Sequence, residues 1–210
     1  ARELAQLGTS AAPATEFLLD ALQDEEYEYP ADPADQVQFC PRQALESIGG
    51  SAVEPALARL NDVGPARRGH AAEFLGNMRA VAAVQPLIEL LDDPSREVRY
   101  AAILSLGRVK DSRALGPLLT VIEREDAAGE AERAVEAISY LEPRPILPLI
   151  ELLSHKKRTV RETAATVLAR DPDERAIDAM LASLDDEYHH VQGAASRAFP
   201  WIREHRGAAP

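Results

Sequence analysis

The sequence predicts an all-α protein, an α-α superhelix or solenoid of about six helix pairs with a 31-residue period, and two observations lead to that prediction. The six letters PLIELL stand at residues 86–91 and again at 148–153, which is 62 residues or two periods further on. Apolar residues in this stretch recur at steps of three and four, as in Val84, Leu87 and Leu91, and this spacing is typical of one helix face. A fixed period of about 20 to 50 residues indicates stacked repeats that cover one another's apolar faces.

Three columns of residues at 31-residue steps define the repeat. One column is proline in four of its five positions, and large aliphatic residues stand two places before it and five places after it. In order, the columns are Pro55, Pro86, Pro117, Pro148 and Ala179; Val53, Val84, Leu115, Ile146 and Ile177; and Leu60, Leu91, Ile122, Leu153 and Leu184. We expect the proline to mark the start of each first helix or to bend it. The aliphatic columns should be buried.

The second half of each repeat has the same helical spacing, as residues 98–106 show. Each repeat is therefore predicted to be a pair of helices. The turn between the two helices offers Asp93 as an N-cap with Pro94 at the first helical position, and Asp171 and Pro172 repeat this arrangement before a later helix.

The period divides residues 1–210 into a single repeat domain. The predicted boundaries are 1–14 for a partial repeat or cap, 15–50 for a repeat with an acidic insertion at 24–36, and 51–80, 81–111, 112–142, 143–173 and 174–206 for the others. The insertion is inferred because 38 residues rather than 31 separate Phe17 from Pro55. The half-repeat at the start and the missing initial methionine favour a segment of a longer chain.

Composition and charge favour a cytoplasmic location and disfavour nucleic-acid binding. With 23 basic and 35 acidic residues the formal net charge is −12, and this charge repels a nucleic-acid backbone. The single cysteine, Cys40, excludes an internal disulfide and indicates a reducing compartment. There is no run of 18 apolar residues, and the start ARELAQLG lacks the basic and then apolar layout of a signal peptide. We therefore expect a cytoplasmic monomer that binds neither nucleic acid nor membrane.

The segment AVQPLIELLDDPSREVRYAAILSLGRVKD, residues 83–111, resembles the short HEAT-like repeat of the phycobilisome lyase (PBS lyase) type. The resemblance extends over residues 51–199. It implies an α-α superhelix but no single function, since that family includes chromophore lyases, hydroxylases, regulators and plain scaffolds.

The sequence predicts neither a catalytic site nor a metal or cofactor site. In the hydroxylase branch of the family that this chain resembles, adjacent His-Glu pairs at the start of successive second helices hold two irons. The equivalent positions here are Gly69 and His70, Tyr100 and Ala101, and Glu162 and Thr163, so the pairs are missing. Neither a Gly-rich phosphate loop nor a Gly-x-Ser-x-Gly motif occurs, and we expect a protein that is not an enzyme.

An arginine column thirteen residues after the proline column has two interpretations. Its members are Arg68, Arg99, Glu130, Arg161 and Gln192. The arginines could form a structural ladder with acidic turns of their own or the next repeat, for which Asp62, Asp92, Asp93, Asp185 and Asp186 are available. Alternatively, they could bind carboxylates or phosphates of a ligand. The segment SHKKR at 154–158 is either a solvated turn or a small anion-binding patch.

The leading hypothesis is a non-enzymatic scaffold that binds a protein partner on the concave face of the array. The candidate contacts are Arg68, Arg99, Tyr100 and Arg161 of the second helices, with Tyr27 and Tyr29 of the acidic insertion. One alternative, which the resemblance implies, is a bilin-lyase-like subunit or chromophore chaperone. A further alternative is a docking or regulatory segment of a larger enzyme.

Overall fold

A computed structural model of the chain describes residues 49–124 and 129–205. The predicted cap at 1–14, the acidic insertion at 24–36 with Tyr27 and Tyr29, and Cys40 lie outside the described residues. The described part divides into two compact units between Val109 and Lys110. The organisation of residues 1–210 as a single domain stays a prediction.

Helices dominate both units, which confirms the predicted all-α repeat fold. The first unit holds α1 (Val53–Arg59), α2 (Pro65–Asn77), α3 (Val84–Glu89) and α4 (Arg96–Val109). The second unit holds α5 (Leu115–Glu123), α6 (Glu130–Ser139), α7 (Ile146–Glu151), α8 (Arg158–Arg170), α9 (Ile177–Ala182), α10 (His189–Ser196) and α11 (Phe199–His205). In residues 49–124 and 129–205 the β-structure is limited to one isolated bridge, between Asp111 and Glu142. The helices α1, α3, α5, α7 and α9 are the first helices of their repeats, and α2, α4, α6, α8 and α10 are the second helices.

The proline column marks the start of the first helices. Each first helix begins at the aliphatic residue two places before the column, so that the proline is its third residue, as in α3, where Val84 comes first and Pro86 third. The first four N–H groups of a helix have no partner within the helix, so proline loses no hydrogen bond there. Of the two roles expected for this proline, the structure shows the first.

The aliphatic column five residues after the proline forms part of the core, as expected. Leu60, Leu91, Ile122 and Leu153 are buried, and Leu184 is half-buried. Around them the core consists mainly of Ala, Val, Leu and Ile side chains from both helices of each repeat. Such small and branched side chains allow helices to pack closely.

The predicted helix caps are displaced. Helix α4 begins at Arg96 rather than at Pro94, because the Asp93 carboxylate accepts a hydrogen bond from Ser95 N–H (2.8 Å) and so closes a turn that precedes the helix. Asp171 does not cap the next helix either. Asp173 instead caps the short 3-10 turn Glu174–Ala176 that leads into α9, and its side chain accepts from Arg175 N–H at 2.9 Å.

Close packing between α2 and α4 depends on a glycine. The buried Ser105 hydroxyl of α4 donates to Ala72 O of α2 at 2.8 Å. A Cβ atom on Gly76 would lie 2.5 Å from Ser105 Oγ and 2.7 Å from Ser105 Cα. The second helices of the first unit can therefore approach this closely only because position 76 has no side chain.

We expect Gly76→Ala to destabilise the protein by about 1 to 3 kcal/mol, because the backbone of Ser105 must move to admit the methyl group. Gly69→Ala on the same helix is the matched control, since a Cβ there meets nothing within 4 Å. It should be neutral or stabilise by up to about 1 kcal/mol through helix propensity. Urea unfolding of both variants measures the difference, and equal stabilities would contradict the close approach.

Candidate functional site

The turn between the two helices of a repeat is closed by one side chain at a fixed position. In three repeats an aspartate accepts a hydrogen bond from the backbone N–H two residues later. These bonds join Asp62 to Gly64 (2.9 Å), Asp93 to Ser95 (2.8 Å) and Asp186 to Tyr188 (2.9 Å). His155 occupies the same position in the fourth repeat, and its Nδ1 accepts from Lys157 N–H at 3.1 Å.

The arginine column lies against these turns. In every repeat of this set, the side chain six residues after the turn residue donates to the turn residue's own carbonyl oxygen. The donors and acceptors are Arg68 and Asp62 (2.8 Å), Arg99 and Asp93 (2.9 Å), Arg161 and His155 (2.9 Å), and Gln192 and Asp186 (2.6 Å). The column thus holds the turn to the start of its second helix.

Two of the arginines also bind the next repeat. Arg68 donates from Nε and Nη2 to the two carboxylate oxygens of Asp93 at 2.7 and 2.8 Å. Arg161 binds Asp186 in the same way, at 2.7 and 3.1 Å. The described residues of each unit therefore include a bidentate rung between successive repeats, a geometry that matches the planar guanidinium to a carboxylate.

Arg161 has no donor left for a ligand in this arrangement. Besides Asp186 and His155 O, it donates to Lys156 O and to Glu187 Oε1, both at 3.3 Å, which completes its five N–H groups. Only 8% of the residue is exposed. A ligand carboxylate would have to displace Asp186, and the contacts of Arg68 and Arg161 are those of the structural ladder.

The ladder changes the pKa values of its members. Hydrogen bonds from the Arg161 guanidinium hold the pKa of Asp186 below its ordinary value, and the same pairing raises the pKa of Arg161. Burial raises the pKa of Asp93, but the hydrogen bonds from Arg68 and from Ser95 N–H outweigh it and leave the pKa lowered. Both carboxylates are therefore ionised at neutral pH, as their arginine partners require.

One repeat departs from the pattern. At 31-residue steps from Asp93 and Arg99 the sequence has Arg124 and Glu130, so the acidic and basic positions are exchanged. Glu130 is nevertheless 2% exposed, like a core residue. Because Arg124 stands in place of the aspartate, this turn has no carboxylate at the position that accepts the bidentate rung.

The basic segment SHKKR stabilises this exceptional repeat. Lys157 donates through Nζ to Ile122 O at 3.0 Å and to Arg124 O, both carbonyl groups at the end of α5. A cation at a helix C-terminus is favoured by the helix dipole and by unpaired carbonyl groups. His155 Nε2 and Lys156 Nζ lie 3.1 and 3.6 Å from the Glu123 carboxylate. The segment is therefore more than a solvated turn, and much of its positive charge contacts protein acceptors.

Sequence reasoning missed a second set of clamps, between repeats. Asp111 accepts from Arg113 through backbone N–H, Nε and Nη2 at 2.8 to 2.9 Å, and Asp173 does the same with Arg175. These bonds lower the pKa of both aspartates to about 2. The signal was present, since the two Asp-x-Arg motifs stand 62 residues apart.

The exposed face of the second helices carries aromatic and apolar side chains beside arginines. Tyr100 of α4 is half-buried, with the Arg96 guanidinium 4.9 Å from its ring centroid, and Leu104, one turn further on, is 37% exposed. In the second unit, Tyr188 has the Arg158 guanidinium 5.3 Å from its ring centroid. These pairs have cation–π geometry, and they occupy surface that a partner could reach.

The residues with metal-ligating side chains do not converge in the part of the chain that the structure describes. Within 49–124 and 129–205, no three histidine, cysteine, aspartate or glutamate side chains are placed to hold one metal ion. Over the same ranges, no helix has the length and apolar character needed to cross a bilayer.

Comparisons with known proteins agree with this architecture. The family described as HEAT repeats matches residues 53–139. The chain is similar to the phycocyanobilin lyase subunit alpha of a Picosynechococcus species, with 32% identity over 148 residues, 70% of this chain and 48% of that protein. The chain thus spans about half the length of this curated relative.

Among solved structures, the chain is similar to an engineered protein, with a TM-score of 0.49, 19% identity and coverage of 97% of this chain and 96% of the other. It is also similar to a designed armadillo repeat protein in complex with the peptide (KR)4, with a TM-score of 0.49, 18% identity and coverage of 92% and 100%.

Helix pairs stacked at a 31-residue period, with turn aspartates and arginine rungs, define an all-α repeat protein. The match over residues 53–139 and the lyase-subunit relative then identify the family: the chain is a HEAT-like repeat protein.

We expect Asp186→Ala to destabilise the protein by about 3 kcal/mol or more, because it leaves the buried guanidinium of Arg161 without its carboxylate. The two side chains are only 11% and 10% exposed. Asp173→Ala is the matched control, since it removes a pair of which Arg175 is 59% exposed. Its loss should be about 1 kcal/mol, from the helix cap. Chemical unfolding measures the free energy of unfolding of both variants. An equal loss would show that the buried rung stabilises the protein no more than the exposed pair does.

Stability should fall in acid as the clamps take up protons. The pKa values of Asp111 and Asp173 in the folded protein are about 2, against an ordinary 3.8. Because the folded state binds these protons less readily than the unfolded state, their contribution is complete above about pH 4 and is lost as the pH falls towards 2. Asp111→Asn should lower stability at pH 7 and flatten its dependence between pH 4 and 2. Urea unfolding at stepped pH tests this, and an unchanged slope would contradict the clamp.

Proposed function

We propose that this protein is a non-enzymatic scaffold that binds a protein partner through the exposed face of its second helices. The observation that carries the proposal is the pair Tyr100 and Leu104 on α4, which present aromatic and aliphatic groups one turn apart on that face. Tyrosine and arginine dominate the binding energy of many interfaces. The concave placement of this face stays a prediction.

Rigidity of the repeats supports the same proposal. The rungs from Arg68 to Asp93 and from Arg161 to Asp186 hold successive second helices in a defined register. A surface whose side chains are already ordered loses little conformational entropy when a partner binds. The ladder would thus serve binding indirectly, by keeping the second helices in place.

The contact set that we propose is narrower than the predicted one. Arg68 and Arg161 act as positioning residues, since their guanidinium groups bind turn aspartates and carbonyl oxygens. Tyr100 and Arg99 remain proposed contacts, and Leu104 joins them. Tyr27 and Tyr29 of the acidic insertion also remain proposed contacts of the partner.

A second candidate function comes from the similarity to the phycocyanobilin lyase subunit alpha. On this reading the chain would be a bilin-lyase-like subunit or a chromophore chaperone, and a catalytic role would belong to the assembled lyase. Because the chain spans about half of that relative, a docking or regulatory segment of a larger enzyme is a further candidate. Visible absorbance that copurifies with the protein would favour the chromophore reading.

We expect the double substitution Tyr100→Ser, Leu104→Ser to reduce capture of the partner from host lysate by at least about tenfold, since about 1.4 kcal/mol of binding energy corresponds to that factor. The control is Leu147→Ser, which changes a 60% exposed leucine on the first helix α7. Parent, variant and control should melt alike, and recovered protein is measured by quantitative mass spectrometry.

Equal loss in the control and the variant would contradict the proposed face. An absorbance scan of the same eluates separates the two candidate functions. A coloured eluate without a protein partner would favour the chromophore reading over the scaffold.

A further inference from the structure

Charge is unevenly distributed over the helices of the first unit. The second helices α2 and α4 together carry five arginines and two glutamates: Arg67, Arg68, Arg96, Arg99 and Arg108, with Glu73 and Glu97. The first helices and the turns of residues 53–95 carry the opposite excess: Glu54, Glu89, Asp62, Asp92 and Asp93, with Arg59 and Arg79. In a chain with a formal net charge of −12, the second helices of the unit thus carry a local excess of arginine, part of which pairs with the turn aspartates.

Part of that charge belongs to the fold and part lies on the surface. Arg68 is bound to Asp93 in the ladder, and Arg67 lies 3.3 Å from the Asp62 carboxylate, whereas Arg96 and Arg108 are exposed on α4. Glu97 is also exposed, but its carboxylate accepts from the Ser95 hydroxyl at 2.7 Å. The exposed cations outside these two pairs are therefore concentrated on α4.

The α4 stripe, defined as Arg96, Tyr100, Leu104 and Arg108, follows one helix face at steps of four residues. With a rise of about 1.5 Å per residue, its members stand about 6 Å apart and the stripe is about 18 Å long. The two ends are exposed arginines, and the middle is the half-buried tyrosine with the exposed leucine. The stripe thus offers cation, apolar, apolar and cation in sequence.

An extended peptide has a matching repeat. Residues on one side of an extended chain are two positions apart, which is about 6.6 Å at about 3.3 Å per residue. A segment of the pattern Glu-x-Phe-x-Leu-x-Glu would therefore place its carboxylates opposite Arg96 and Arg108 and its apolar side chains opposite Tyr100 and Leu104. Such pairing combines apolar burial with charge complementarity.

We propose that the α4 stripe binds a short acidic segment of a partner protein, with carboxylates about six residues apart and apolar side chains between them. This deepens the proposed scaffold function and rests on it. A nucleic acid fits less well, because strong binding to phosphates needs many cations and the whole chain is acidic. A membrane surface fits less well too, since the apolar part of the stripe is only two side chains wide.

The experiment titrates the full chain with a fluorescein-labelled peptide of sequence ESFSLSE and measures anisotropy. Two control peptides are KSFSLSK, with the charges reversed, and ESSSSSE, without the apolar anchors. We expect both controls to bind at least about tenfold more weakly. Binding of ESFSLSE should also weaken as NaCl is raised from 50 to 300 mM, because the salt shortens the range of the charge interaction.

A charge exchange locates the site. The variant Arg96→Glu, Arg108→Glu should lose ESFSLSE by at least about tenfold and gain KSFSLSK. The matched control Arg197→Glu, Arg203→Glu changes two exposed arginines of the second unit by the same net charge, and it should keep the preference of the parent. Thermal melting of all three proteins checks folding, and the peptide controls and salt series on the parent provide a test independent of the variants.

Equal binding of the acidic and basic peptides by the parent, or an unchanged preference after charge exchange, would overturn the inference. Its failure is distinguishable from failure of the proposed function. If a protein partner is captured in a manner that needs Tyr100 and Leu104, but excess ESFSLSE does not compete with it, the scaffold stands and the acidic-segment inference is wrong. If no partner is captured, the scaffold itself fails.

Discussion

The bidentate pairing of an arginine on one second helix with the turn aspartate of the next repeat is the constraint on which the rest of the structure depends. Among the described residues it occurs between Arg68 and Asp93 in the first unit and between Arg161 and Asp186 in the second. Burying such charges is costly unless they are paired and hydrogen-bonded, and these are. Apolar packing alone would tolerate small shifts between repeats, whereas a planar, two-point contact does not. The rung therefore contributes register more than raw stability, while the buried column of Leu60, Leu91, Ile122 and Leu153 contributes to the apolar burial.

The repeat with Glu130 in the arginine column has no arginine to pair with the turn of the next repeat, and a different contact joins these two repeats. In the repeat with Arg124 and Glu130, the acidic and basic positions are exchanged, and Lys157 of the following repeat reaches back to carbonyl groups at the end of α5. His155 meanwhile closes its own turn through a ring nitrogen, in place of the usual carboxylate. Both devices still join a turn or helix end to a neighbouring segment. The contact between repeats is thus kept although the chemistry differs.

The repeat pattern could be predicted because it follows from local and periodic constraints. Proline is restricted to the first turn of a helix and large aliphatic side chains must be buried, so columns at Pro86 and Leu91 suffice to place helices. The partner of an arginine could not be predicted, because adjacent carboxylates at Asp92 and Asp93 differ in orientation only once the turn is folded. The same holds for the start of α4, where Asp93 closes a turn two residues ahead of the helix. The partner of a side chain depends on how neighbouring repeats pack, and the period of the sequence does not specify that packing.

The division of the arginines into two groups connects the fold with its proposed use. An arginine that satisfies buried acceptors is unsuited to bind a ligand, since the exchange would leave a buried carboxylate unpaired. Arg161 is in that position, whereas Arg96 and Arg108 lie exposed on either side of Tyr100 and Leu104. Because the ladder and the stripe use different side chains, packing between repeats and binding of a partner can proceed separately. Substitutions on the stripe can then change the partner with little effect on stacking, and a repeat scaffold can in this way acquire new partners while its fold is retained.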